Sequence, residues 1–80
     1  MQTRVEDIIT ALSELHEDQS VPRNIKEKIQ KTIEILKSSS DISMNKDKAL
    51  AELDDVADDI NLQTYTRTQI WNIVSMLEKQ

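Results

Sequence analysis

None of the 80 residues is glycine. Without glycine the chain has no low-cost residue for left-handed backbone, so the tight turns that join neighbouring strands are out of reach. Continuous helices joined by short polar breaks remain open to it, and the abundant Glu, Lys, Ile and Leu suit them. Only Tyr65 and Trp71 are aromatic, too few for a sheet. The missing glycine also removes phosphate-binding loops, dinucleotide fingerprints and nucleophile elbows, each of which needs glycine at fixed places.

Four apolar stripes at helical spacing fill this frame. Thr3-Arg4-Val5-Glu6 has the form of a capping box, in which hydroxyl and carboxylate satisfy free N–H groups. Val5, Ile8, Ile9, Leu12 and Leu15 follow it, and Asp18-Gln19-Ser20 before Pro22 marks a turn. Pro22 suits the first turn of a second helix, which carries Ile25, Ile29, Ile33 and Leu36. Residues 37–41 form the longest polar break. In the third helix, with Ser43 as its expected cap, Leu50, Leu53, Ala57 and Ile60 recur at a 3,4,3 spacing, beside Ala49 and Val56. The fourth bears Ile70, Ile73, Val74 and Leu77, with Asn61 or Thr64 as its expected cap. The predicted spans are about 3–17, 22–37, 44–60 and 63–78, within one domain over 1–80.

A shift of 41 residues lays the second half on the first. Ile9 then meets Leu50, Leu12 meets Leu53, Ile29 meets Ile70, Ile33 meets Val74 and Leu36 meets Leu77. The matches continue where polarity alone does not demand them: Asp18 with Asp59, Val21 with Leu62, Lys26 with Arg67. A helical hairpin of this size cannot cover its own apolar faces, so two of them share a core. The expected fold is all-α, an antiparallel four-helix bundle built from two repeated αα-hairpins. The period near 40 and Asp-x-x-Val-Pro-x-x-Ile-Lys also permit two stacked HEAT-like hairpins.

Arg67-Thr68-Gln69-Ile70-Trp71-Asn72-Ile73-Val74-Ser75 and Val21-Pro22-Arg23-Asn24-Ile25 resemble the two most recognisable stretches of a family of small archaeal proteins catalogued as uncharacterised. The resemblance covers nearly the whole chain. It implies a short four-helix bundle from an archaeal cytoplasm and supplies no activity, cofactor or catalytic residue. One departure is visible: Gln63 stands where a second proline matching Pro22 is expected, which implies a less rigid start to the fourth helix.

Candidate sites are few. No cysteine is present, so thiolate chemistry and disulfides are excluded. His16 is the only histidine, and it stands at a helix end near Glu14, Glu17 and Asp18. It reads as a cation favoured by the helix dipole, or as a metal ligand or general base. Glu52, Asp55 and Asp59 share a helix face, either as a solvated surface or as an oxygen-ligand cation site. Arg23, Lys26, Lys28, Lys31 and Lys37 make the second helix basic, and Arg23, Lys26 and Lys31 are candidate phosphate contacts. Glu27 and Glu34 interrupt them and no aromatic residue is interleaved for base stacking. An outer face that meets the acidic third helix is the competing reading. Ile35 and Met76 lie off their stripes at matching positions of the two units, and Trp71 flanks the fourth stripe. Ile35, Trp71 and Met76 are therefore candidate interface residues, with Trp71 alternatively closing the bundle end.

The net charge of −5 opposes contact with phosphate backbones. Met1 to Asp7 hold no apolar signal core, and no apolar run approaches the ~18 residues of a membrane span. The function expected from these features is a non-enzymatic protein-interaction module of the cytoplasm, self-associating or bound to a protein partner, with no membrane, cofactor or small-molecule substrate. The two alternatives are an accessory nucleic-acid-binding protein using the second helix and a metal-binding bundle.

Overall fold

The computed structural model describes residues 5–38 and 42–79. It contains four helices: α1 (Val5–Glu17), α2 (Arg23–Lys37), α3 (Ile42–Ala57) and α4 (Thr64–Glu78). They form a closed antiparallel four-helix bundle in which α1 packs on α2 and α4, and α3 packs on α2 and α4. A HEAT-like stack would set α1 on α3 and α2 on α4, and neither contact occurs among the described residues. Ring closure wins because each apolar stripe is wide enough to be covered by two neighbours at once.

The core holds the expected stripes from all four helices. Ile8, Leu12, Ile25, Ile29, Leu53, Ile70 and Leu77 are fully enclosed. Burial repeats at the 41-residue shift: Leu12 and Leu53, Val21 and Leu62, Ile29 and Ile70, Ile33 and Val74, and Leu36 and Leu77 are all buried. Thr32 is buried where its counterpart is Ile73, and its hydroxyl donates to the Lys28 carbonyl at 2.9 Å, so no polar atom is left unsatisfied there. Among the described residues no helix is long and apolar enough to cross a membrane.

The two turns are built alike. The Asp18 N–H donates to the Leu15 carbonyl and the Val21 N–H to the Asp18 carbonyl; Asp59 to Val56 and Leu62 to Asp59 repeat this 41 residues later. Each aspartate also accepts a backbone N–H two residues on, Ser20 at 2.9 Å and Asn61 at 2.8 Å. These aspartate turns end α1 and α3 with no residue at positive φ among the described residues, which is how a chain without glycine stops a helix.

Several expected boundaries move. α3 stops at Ala57, so Ile60 is no part of the core: it lies in the turn, 92 % exposed. The bond network at Asp59 outweighs the continuing apolar spacing. α3 begins at Ile42, which puts Ser43 inside the helix rather than at its cap. α4 is capped by Gln63, with no side-chain hydrogen bond, in place of Asn61 or Thr64. Pro22 is the cap of α2 and not its first helical residue. The capping box at Thr3 lies outside the described residues.

Candidate functional site

The outward faces of α2 and α4 occupy equivalent places in the two hairpins and differ in chemistry. On α2 the exposed positions include Arg23, Glu27, Gln30, Lys31 and Glu34. Their counterparts on α4 are Thr64, Thr68, Trp71, Asn72 and Ser75, all exposed and all uncharged; the exposed pair Asn24 and Tyr65 is likewise uncharged, and only at the last turn does a charged pair, Lys37 and Glu78, recur. Trp71 is 47 % exposed midway along α4, so it does not close an end of the bundle. Tyr65 is 66 % exposed one position from Thr64. From Gln63 to Leu77 the only charged residue is Arg67, and its guanidinium is engaged: it donates to the carbonyls of Ala57 and Asp59 at 3.0 Å and lies 3.5 Å from that of Leu62.

Ile35 and Met76 are half-buried and pack against the edge of the core. The structure does not gather them with Trp71 into one exposed patch. Tyr65 was not singled out by its sequence neighbourhood, because a lone tyrosine off the apolar stripe has no periodic signal. The run of charge-free residues around it was the available clue.

Arg23, Lys26 and Lys31 line one open concavity of about 720 Å³ along α2, together with His16 from the end of α1. Glu27 and Glu34 line it as well. Lys31 is also committed elsewhere, 3.2 Å from the Glu52 carboxylate. Two to three cations interleaved with two carboxylates make a mixed-charge surface.

The acidic face of α3 is paired to α2. The Lys28 ammonium forms an ion pair with Asp55, Lys31 meets Glu52, and the Asn24 amide donates to Asp59 at 3.2 Å. The hydrogen bond from Lys28 to Asp55 holds the lysine above its ordinary titration range, against a desolvation effect that lowers it. Asp18, bonded by the Ser20 hydroxyl at 2.7 Å and by the Ser20 N–H, is held below the usual carboxylate range. Among the described residues no group of three or more histidines and carboxylates is placed to hold a metal ion. His16 shares its concavity with Arg23, Lys26 and Lys31 as well as Glu27 and Glu34, and Glu52, Asp55 and Asp59 are engaged by two lysines and an amide, so nothing in this arrangement supports the metal-binding alternative.

The Asn45 amide nitrogen, near the start of α3, is buried and has no hydrogen-bond partner among the described residues.

Comparison with known proteins bears on the family and the fold. The crystal structure of the unknown function protein MMP1188 superposes with a TM-score of 0.86 at 37 % identity, over 95 % of this chain and 88 % of that one. A UPF0147 protein of Methanocaldococcus jannaschii is 41 % identical over 69 residues, covering 85 % of this chain and 74 % of the relative. One from Sulfurisphaera tokodaii is 36 % identical over 78 residues, covering 96 % and 88 %. The family match spans residues 1–80, and with archaeal relatives at these identities the chain belongs to the Uncharacterised protein family (UPF0147).

Proposed function

We propose that this protein is a non-enzymatic interaction module of the archaeal cytoplasm that binds another protein chain through the outer face of α4. The observation that carries the reading is the contrast between equivalent faces: α2 is heavily charged, whereas α4 presents Thr64, Thr68, Trp71, Asn72 and Ser75 without charge. Depletion of charge around an exposed tryptophan is the compositional mark of an interface centre. A second copy is the partner this face itself favours. A two-fold contact brings the same patch together from both copies and sets residues at its axis against themselves, which penalises a patch of one charge, and the overall charge of −5 opposes association elsewhere on the surface.

A single helix face offers less than the roughly 800 Å² per partner of a stable interface, so self-association is weak and concentration-dependent. Sedimentation velocity from micromolar to millimolar protein tests this. The weight-average mass is expected to rise with concentration and to stay monomeric in Trp71→Glu. A strictly monomeric wild type, or a Trp71→Glu variant that associates equally, refutes the α4 face as a self-contact. Ile35→Lys and Met76→Lys serve as comparators; these half-buried residues are expected to affect stability more than association.

The nucleic-acid reading draws on one observation, the joint placement of Arg23, Lys26 and Lys31 in the α2 concavity. Glu27 and Glu34 in the same wall work against it.

A further inference from the structure

The bundle has two seams between its hairpins, α2 against α3 and α1 against α4, and the 41-residue shift carries one onto the other. Across α2/α3 three polar contacts join Asn24 to Asp59, Lys28 to Asp55 and Lys31 to Glu52. The equivalent positions across α1/α4 are Tyr65 and Asp18, Gln69 and Glu14, and Asn72 and Ala11. The carboxylates of the first two pairs survive, that of the third is replaced by Ala11, and both lysines are gone. Among the described residues no hydrogen bond or ion pair spans these positions. In their place is a groove of about 140 Å³ lined by Glu14, Asp18, Tyr65, Gln69 and Ala11. Its apolar walls come from Leu15 and Ile73, both core residues.

The groove has the parts that the filled seam uses to hold a lysine. In the filled seam the Lys28 side chain, one-third exposed, runs out of the helix interface to the carboxylate of Asp55. Glu14 is the counterpart of that carboxylate. The Asp59 Oδ1 accepts the turn N–H of Asn61, and its Oδ2 accepts the Asn24 amide across the seam. Asp18 repeats the first half of this arrangement: its Oδ1 is taken by Ser20, so its Oδ2 is the oxygen equivalent to the one that faces the seam. Gln69 is too short to fill the space and brings no charge. Tyr65 adds an exposed ring beside the two carboxylates, a combination suited to a cation with an alkyl stem.

We propose that the α1/α4 groove receives a lysine side chain presented by a partner protein, its ammonium held by Glu14 and Asp18 beside Tyr65 as the chain's own Lys28 is held by Asp55 across the other seam. The groove lies off the α4 outer face, and its test uses a free probe, so either assignment can fail without the other.

The test is an amide NMR titration of the intact protein with Nα-acetyl-lysine methylamide and with the norleucine analogue, which keeps the stem and removes the charge. Saturable shifts at Glu14, Asp18, Tyr65 and Gln69 are expected with the lysine probe, with at least tenfold weaker binding of norleucine. Gln69→Lys supplies the missing cation internally and is expected to weaken the lysine probe at least tenfold, whereas Gln69→Glu strengthens it. Both changes are at a surface position, and a thermal melt confirms the fold. No saturable shift with the lysine probe, equal binding of norleucine, or unchanged binding to Gln69→Lys overturns the proposal. An arginine probe bound tenfold more tightly than lysine overturns the choice of side chain.

Discussion

The turn joining α1 to α2 and the turn joining α3 to α4 follow the same backbone path with different side chains. Pro22 caps α2 at φ −59° and ψ 151°, and Gln63 caps α4 at φ −66° and ψ 148°. Lys26 and Arg67 follow at the same place, and each N–H bonds the carbonyl of its cap, at 3.0 and 2.9 Å. Arg67 also gathers carbonyls at the end of α3, whereas Lys26 acts on its own turn through its charge on Asp18. Gln63 thus reaches the backbone angles of Pro22 without the ring, so the cap geometry itself does not depend on proline. The aspartate bond network and burial of Val21 and Leu62 hold both turns, and proline is an addition to one of them.

That comparison can be broken experimentally. Arg67→Ala should cost about 2 kcal/mol in urea denaturation, because hydrogen bonds from a charged donor are worth roughly 1.5–3 kcal/mol each side of context. Lys26→Ala should cost no more than about 0.5 kcal/mol, the usual range of a surface change. Equal losses would mean that the guanidinium contacts do not distinguish the hairpins. A smaller effect of opposite sign is expected for Gln63→Pro, a gain of about 0.5–1 kcal/mol, since the native φ already suits proline and only the unfolded chain is restricted. Loss of stability would show that the second turn needs a freedom or an N–H that proline removes.

The smallest effect concerns the filled seam. Lys28 titrates above its ordinary value of 10.5, chiefly through its bond to Asp55. A raised value means that the folded state favours the charged form. Its contribution is thus fully present below pH 10.5 and is lost as pH rises through the folded value. The difference in melting temperature between wild type and Lys28→Met should be flat through neutral pH, shrink above pH 10.5, and shrink with added salt because the pair is solvent-exposed. A difference that grows above that pH would remove the ion pair as its cause.

How far the sequence could be read is clearest at particular residues. Ile60 continues the α3 spacing, yet the 41-residue shift aligns it with Gln19 in a turn, and the shift was the better guide. Periodicity records only that a side chain could face the core, whereas the repeat also carries the positions of the aspartates that stop the helices. Ile35 and Met76 are equivalent by the same shift and occupy equivalent, half-buried places, although neither builds an exposed patch. Arg23, Lys26 and Lys31, which lie on one basic helix, line one concavity, and His16 from another helix lines it with them without any local signal.

The sequence by itself determined four helices, two like hairpins, and nearly every core position, because these depend on spacing within one helix and on turn chemistry a few residues long. Only the tertiary structure decided that α1 lies against α4, that Lys28 and Lys31 close one seam while Gln69 leaves the other open, and that Trp71 and Tyr65 stand exposed. Those outcomes depend on which helices meet and in what register, and such pairings between distant residues are fixed by packing the shared core.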